Sequence, residues 1–519
     1  MKFYRIFILS CLFIFSKALM AEPGVVVLGG GGPEGDIGVT TDWSYPLYKK
    51  LIDNGDTTGD KKIKVVVLSL EKPDTNFIVD YFKSMGADSS YNLVVSSRKE
   101  ANDPKVVAMM KDADVVFIRG GNQGKAYQLW KGTKVQEQIK ALGDRGGAIG
   151  GTSSGAMGLS QYSITGGKDF ATKDVLKDSH SPLLNDEVDP KTSGIHNDFL
   201  NAAPGILADT HCGERGRVGR LLATMAKAID DFKDKKIVSV CIEEKTGIAI
   251  IKGKAQVFGT GSVHFLSETP ETKKERLPGK PLSYINVRDD ALTEGWTYDL
   301  SSRTPDLKNL PKSAKASYPD INCGQVTDQL KIKSNTVNRI TFIEPPFSNG
   351  LVIAEDAYSD SQLMSRDKKR GVMQTLSFNR LAKNPNGSVV FLDSSSEIDG
   401  LGKNTIAVKS QKNGREAMPS LILDCQYCSY TSTSSFVSTQ DQGDQTLHSS
   451  GFVNMRIHVI GDNDTYNVRT HKATLARDYA VKQTGTVECK GISLSEEMID
   501  QLVSDQLNVL RKLNCAHSK

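Results

Sequence analysis

The chain has 519 residues, of which 38% are hydrophobic and 24% charged, and carries a formal net charge of +4. That length suits two or three domains, and the balance is that of an ordinary globular protein. It excludes a low-complexity chain, and it offers no basic excess to hold nucleic acid or an anionic surface.

Residues 1–21 read as a removable secretory signal: MKFYR is a positive start, IFILSCLFIF an apolar run, and KALMA ends on small residues before Glu22. Export, to the periplasm or beyond the cell, is the expectation. Reading ILSC as a lipoprotein signal at Cys11 ranks lower, because the apolar run continues past it. Loss of Lys2, Arg5 and Lys17 with the signal lowers the charge to +1. No later stretch is apolar enough to span a bilayer.

From 24 to about 265, within a first domain expected to span 22–305, short β-branched runs (Val25–Leu28, Ile63–Leu70, Leu93–Val95, Val115–Ile118, Ile237–Ile242) alternate with segments of helical spacing. Phe77, Ile78, Tyr81, Phe82 and Met85 fall on one helical face, as do Val218, Leu221, Leu222, Met225, Ile229 and Phe232. This alternation predicts an α/β fold with a mostly parallel sheet covered by helices. Ligands of such sheets sit beyond the carboxyl ends of the strands, where the glycine-rich turns LGGGGPEG, RGGNQG and GGTSSG fall. From 266 to 305 the text is rich in proline and charge, with a strand-like piece at Leu282–Val287. Residues 306–519 change character, with more Ser, Thr, Asn and Asp and short alternating runs, Phe452–Ile460 the clearest, before a helical run at Met498–Leu513. They are expected to form a second, mainly β domain of unassigned role. Once Cys11 is gone seven cysteines remain, so at least one lacks an intrachain partner. Cys425 and Cys428 form a CxxC without zinc-ribbon partners, and disulfides within the C-terminal third are the favoured reading.

Gly151-Thr152-Ser153-Ser154-Gly155 fits G-x-S-x-G, a turn that lifts a serine hydroxyl above the sheet. On pattern alone a flexible loop fits equally well, and phosphate binding fits less well because no G-K-[ST] follows. A nucleophilic serine needs a base. Of eight histidines, His211 stands out in DTHCGERGRVGRLL, where Arg215, Arg217 and Arg220 crowd the start of a helix. Cations there oppose the helix dipole, so a pocket for a substrate carboxylate explains them better. The orienting acid is left between Glu244, or its neighbour Glu243, at the end of Ile237–Ile242, and Asp169.

These residues resemble the cyanophycinase and aspartyl-dipeptidase family of serine peptidases, family S51. The resemblance covers about 24–305 and rests on GGTSSGA, RGGNQ, DTHCGERGRVGRLLA and CIEEKTGIAI. It implies a flavodoxin-like fold related to class I glutamine amidotransferases, and a triad of Ser153, His211 and Glu244. It implies oxyanion N–H groups at Gly121 and Ser154. It also matches Gln123, Asp209, Arg215, Arg217 and Arg220 to residues that hold a β-linked aspartyl unit. No metal or organic cofactor is required, and the implied partner is a peptide with an aspartyl carboxylate. Oligomeric state is left open, a homodimer included. Three departures stand out: serine at 154 where the family has alanine, threonine at 210 where it has glutamine, and 58 residues between Ser153 and His211. The last implies a polar insertion near 165–200, read as a lid or rim. Two rivals remain, a catalytically silent binding protein and an esterase using a later histidine such as His448 or His458.

Overall fold

Val25–Gly29 (β1), Lys64–Ser69 (β2), Ser89–Val94 (β3), Val115–Ile118 (β4) and Ala148–Thr152 (β5) are all but continuous runs of buried residues, except for the half-exposed edge strand β3. A strand buried on both faces belongs to a parallel sheet between helices, and these five pair in parallel in the order β1-β5-β4-β2-β3. The structure is a computed structural model describing residues 23–165, 172–184 and 194–316. From 357 onward it describes 357–361, 388–392, 397–400, 405–409, 411–412, 415–416, 419–438, 445–461, 463–467 and 470–478.

The helices are Ser44–Asp53 (α1), Phe77–Ser84 (α2), Pro104–Lys111 (α3), Gln123–Trp130 (α4), Lys134–Asp144 (α5) and Ser154–Leu159 (α6). Leu47, Leu51, Tyr81 and Phe82 of α1 and α2 pack on one sheet face with Val25, Val65 and Phe117. Trp130, Ile139, Leu142, Ala156 and Leu159 of α4 to α6 pack on the other with Leu28, Val66 and Ile149. The alternating inward and outward residues of each strand thus supply both cores, and the fold is the expected flavodoxin-like α/β arrangement.

A second sheet was not legible in the sequence. Ile206–Thr210, Val238–Ile242, Val263–Ser267 and Ser283–Leu292 form part of it, the first two parallel and the others antiparallel. One face shares the core of α4 to α6; the other is covered by the helix Val218–Phe232. The chain returns from Val238–Ile242 to the first sheet at Thr246–Ile251, which runs antiparallel to β1. Glu243, Glu244 and Lys245 are therefore the crossover between sheets.

Residue 305 does not interrupt this second sheet. Ser283–Leu292 pairs antiparallel with Gln445–Ile460, which pairs in turn with Ser420–Asp424 and Tyr430–Ser438. The described residues through Leu475 fall in one compact unit, and Ala476–Lys519 form another, of which 476–478 are described. The helix expected at Met498–Leu513 lies outside the described residues. Within the insertion, Thr172–Leu176 and Pro182–Leu184 bury Val175, Leu176 and Leu184 against the helix Val218–Phe232, so this part is core rather than lid. Disulfides join Cys212 to Cys241 and Cys425 to Cys428; the first was not foreseen, and the second pairs the two thiols of the CxxC. Among the described residues no helix is long and apolar enough to cross a membrane.

Candidate active site

Ser153 is the hinge between β5 and α6, with φ 54° and ψ −126°. A non-glycine residue held there costs about 1–3 kcal/mol and persists only where its surroundings over-determine it. Here its N–H donates to the Gly29 carbonyl at 2.9 Å, and Gly151 and Gly155 approach so closely that a Cβ on Gly151 would sit 2.7 Å from the Gly155 carbonyl carbon. The glycines flanking the serine pair are the space the turn occupies.

His211 ends the strand Ile206–Thr210 and adopts the left-handed conformation, φ 54° and ψ 40°. Its N–H donates to the Gly30 carbonyl at 3.0 Å. The turn after β1 thus ties the base, by Gly30, beside the nucleophile, by Gly29, although they belong to different sheets. Ser153 Oγ lies 2.8 Å from His211 Nε2. For Nε2 to accept that proton, Nδ1 must carry the ring hydrogen. Gly31, φ +96°, passes beside the ring: a Cβ there would lie 2.4 Å from Nε2.

Two carboxylates face Nδ1. Glu214 Oε2 is 3.4 Å away and Glu244 Oε1 3.7 Å. Glu244 Oε2 accepts the Glu214 backbone N–H at 3.0 Å. Burial, reinforced by the charge of Glu214, pushes Glu244 well above the usual carboxylate range. The hydrogen bond to His211 holds Glu214 below it. Burial thus favours the neutral form of Glu244, while the contact with His211 favours the charged form of Glu214. Burial lowers the His211 pKa; its bond to Glu214 opposes this, and the charges of Arg215 and Arg217 add to it.

Of the candidate acids, then, the crossover brings Glu244 to His211, while Glu243 turns inward and accepts the Ser262 N–H at 2.7 Å. Asp169 lies outside the described residues. Glu214 escaped sequence reasoning, although its place three residues after the histidine, one helical turn on, was the signal available. The His211, Glu214 and Glu244 ligand atoms lie within 4.8 Å of one another. They could hold a divalent cation by spacing, but a metal on Nδ1 would take the proton position that base catalysis uses. His458 lies 3.6 Å from Asp424, so the histidine at Ser153 is His211 rather than this later one.

The oxyanion donors take an unexpected form. Gly121 N–H donates to the Ser154 hydroxyl at 2.6 Å, so the side chain at 154 occupies one of the two amides expected to be free. Gln123, Thr210, Arg215, Arg217 and Arg220 line a cleft of about 250 Å³ with Ser153 and Ser154. Asp209 does not line it. It is fully buried behind the arginines, accepting from Arg220 Nε at 2.7 Å and Nη2 at 2.5 Å, and from Arg217 Nη1 at 3.3 Å. Arg217 also donates to the Thr210 carbonyl at 2.8 Å. Burial, then the neighbouring Arg220 charge, pulls its pKa down to about 9, still charged at neutral pH. Three guanidiniums against one carboxylate leave the cleft with excess positive charge.

Comparison with known proteins bears on this geometry. The model of peptidase family S51 matches residues 73–197. Cyanophycinase of Nostoc sp. is 28% identical over 229 residues, 43% of this chain and 69% of that protein. Cyanophycinase of Synechococcus elongatus is 28% identical over 249 residues, 46% and 70% of the respective chains. The crystal structure of a peptidase from an acI-B1 actinobacterium aligns with 54% of this chain and 98% of its own at 18% identity, with a TM-score of 0.37. The family match and the cyanophycinase relatives agree: they support the assignment of the chain to peptidase family S51 and indicate a serine-type peptidase.

Proposed function

We propose that the protein is an exported hydrolase of aspartyl-linked peptides, with β-linked aspartyl units the preferred class. The observation that carries this reading is the joint placement of Ser153 Oγ 2.8 Å from His211 Nε2 and of three arginines around the adjoining cleft. Asp209 neutralises Arg220 and part of Arg217, and the remaining charge suits a substrate carboxylate presented in a forked geometry. Its relatives are cyanophycinases by name, which agrees with an aspartyl substrate.

Ser153 attacks the scissile carbonyl while His211 Nε2 takes its proton, and the Glu214–Glu244 pair stabilises the imidazolium through Nδ1–H. The oxyanion is received by the Ser154 N–H and by the Gly121 N–H once the latter leaves the Ser154 hydroxyl. His211 then gives its proton to the departing amine, and water releases the acyl group from Ser153. Two disulfides accord with export, since such bonds persist in oxidising compartments. Removal of residues 1–21 during export is part of the same proposal.

The test is a panel of α- and β-linked aspartyl dipeptides, with glutamyl and alanyl counterparts, assayed with the wild type and Ser153→Ala. Turnover of the aspartyl members alone, at least 10³-fold lower in the variant, is expected. Equal turnover of alanyl peptides would overturn the specificity, and an active Ser153→Ala would overturn the mechanism.

A further inference from the structure

His211, Glu214 and Glu244 stand further apart than a chain of hydrogen bonds requires. The imidazole Nδ1 is 3.4 Å from Glu214 Oε2 and 3.7 Å from Glu244 Oε1, whereas an ordinary N–H···O bond spans about 2.7–3.2 Å. Two ligands of a tetrahedral zinc ion, with bonds of about 2.0–2.2 Å, lie about 3.3–3.6 Å from each other. The three ligand atoms are all within 4.8 Å of one another. Two further observations point to a cation. Glu244 Oε1 is buried and has no hydrogen-bond partner among the described residues. Its other oxygen is pinned by the Glu214 N–H at 3.0 Å, so the orphaned atom is held toward Nδ1, as a supporting bond holds a metal ligand. Glu214 keeps 27% of its side chain exposed, which gives an ion a way in from solvent.

We infer that these three residues form an inhibitory site for a divalent transition-metal ion of the zinc class, bound by Nδ1 and one oxygen of each glutamate. The inference rests on Ser153 and His211 being nucleophile and base. One nitrogen with two carboxylate oxygens suits zinc, whereas magnesium and calcium prefer oxygen alone. The ion acts through the tautomer of the ring. Without it Nδ1 carries the hydrogen and Nε2 accepts the Ser153 proton. With it Nδ1 gives its lone pair to the ion, its hydrogen passes by way of solvent to Nε2, and any proton on Glu244 leaves to solvent. Nε2–H then donates to Ser153 Oγ, 2.8 Å away, and no base remains to take the hydroxyl proton.

The first arm of the experiment needs no substrate: calorimetric titration of full-length Ser153→Ala with zinc chloride, alone and in excess magnesium or calcium chloride. A zinc site is expected for which neither magnesium nor calcium competes. Adding Glu214→Gln should weaken it at least tenfold, whereas adding His471→Ala, at another histidine–carboxylate contact, should leave it unchanged. With isotope-labelled histidine, nuclear magnetic resonance of the wild type should show the His211 hydrogen moving from Nδ1 to Nε2 as zinc is added. The second arm takes the wild type and the dipeptide it cleaves best. Micromolar zinc should lower kcat at least tenfold with KM little changed, and EDTA should restore it. Zinc bound equally well after Glu214→Gln, or full turnover with the site saturated, overturns the inference. Zinc bound here by a protein that cleaves no aspartyl peptide supports the metal site and overturns the aspartyl reading instead.

Discussion

The disulfide between Cys212 and Cys241 joins the residue after His211 to the strand that ends just before Glu243 and Glu244. Replacing both cysteines with alanine tests what holds base and acid together. The closed loop spans a sequence separation of 29, and the chain-entropy relation then gives about 3.6 kcal/mol of stabilisation, acting through the unfolded chain. Both sulfurs are fully buried, so the small void left behind adds to that loss. His211 is also held in a left-handed backbone conformation whose cost its surroundings must meet, and the bridge is the covalent part of those surroundings. Urea unfolding should show about 3–4 kcal/mol lost at unchanged slope. At a temperature where the variant is fully folded, kcat should fall at least tenfold, since a displacement of 1 Å at a reacting group costs up to about 10²-fold. Replacing Cys425 and Cys428, whose ring spans a separation of 3, should leave kcat unchanged. An unchanged midpoint together with an unchanged kcat would show that packing alone fixes the turn, and would refute the reasoning.

His211 must be neutral to act as base, and its pKa is lowered chiefly by burial; the acid limb of the kcat/KM profile should therefore lie below the ordinary histidine value of about 6.5. Glu214→Gln removes a carboxylate that favours the imidazolium and should move the limb further down, whereas Arg215→Met should move it up; opposite shifts in a pH–rate series would discard this account of the site's charges. Ser154→Ala frees the Gly121 amide from a bond worth about 1 kcal/mol and should raise kcat by up to about fivefold; a tenfold fall would instead make the hydroxyl itself the oxyanion donor. Gly31→Ala places a methyl group where the imidazole lies, at φ +96°, and should reduce kcat at least 10²-fold while costing about 1–3 kcal/mol of stability; near-normal turnover would mean that the ring is free to move. Arg220→Met leaves buried Asp209 without its bidentate partner and should cost about 3–5 kcal/mol of stability, visible as early thermal unfolding.

The first sheet was legible because its strands are short β-branched runs between amphipathic helices, and that period survives without tertiary information. Val115–Ile118 is found at its expected bounds, and Val25–Leu28 gains one residue. The nucleophile turn was legible for a related reason: the glycines at 150, 151 and 155 around two serines waste packing surface unless backbone must pass close to backbone. The second sheet was not legible. Ile237–Ile242 reads as one more parallel strand, and nothing local marks that it leaves one sheet while Thr246–Ile251 returns to the other. The break at 305 was inferred from a shift in composition, which reports solvation and loop content rather than hydrogen-bond partners. Ser283–Leu292 finds its neighbour more than 150 residues later, a pairing no local pattern encodes. Asp209 was assigned to the pocket by its place in a motif; its burial behind Arg220 follows from strand alternation, which directs neighbouring side chains to opposite faces.

The antiparallel ladder between Ser283–Leu292 and Gln445–Ile460 has a practical corollary for anyone who would shorten this protein. A chain stopped at 305 would expose a ten-residue edge with its amide and carbonyl groups unmatched, two strands away from the strand that leads into the Glu243–Glu244 crossover. Such an edge invites pairing with another molecule, so a truncated enzyme would be expected to aggregate before it could report on what the missing half contributes.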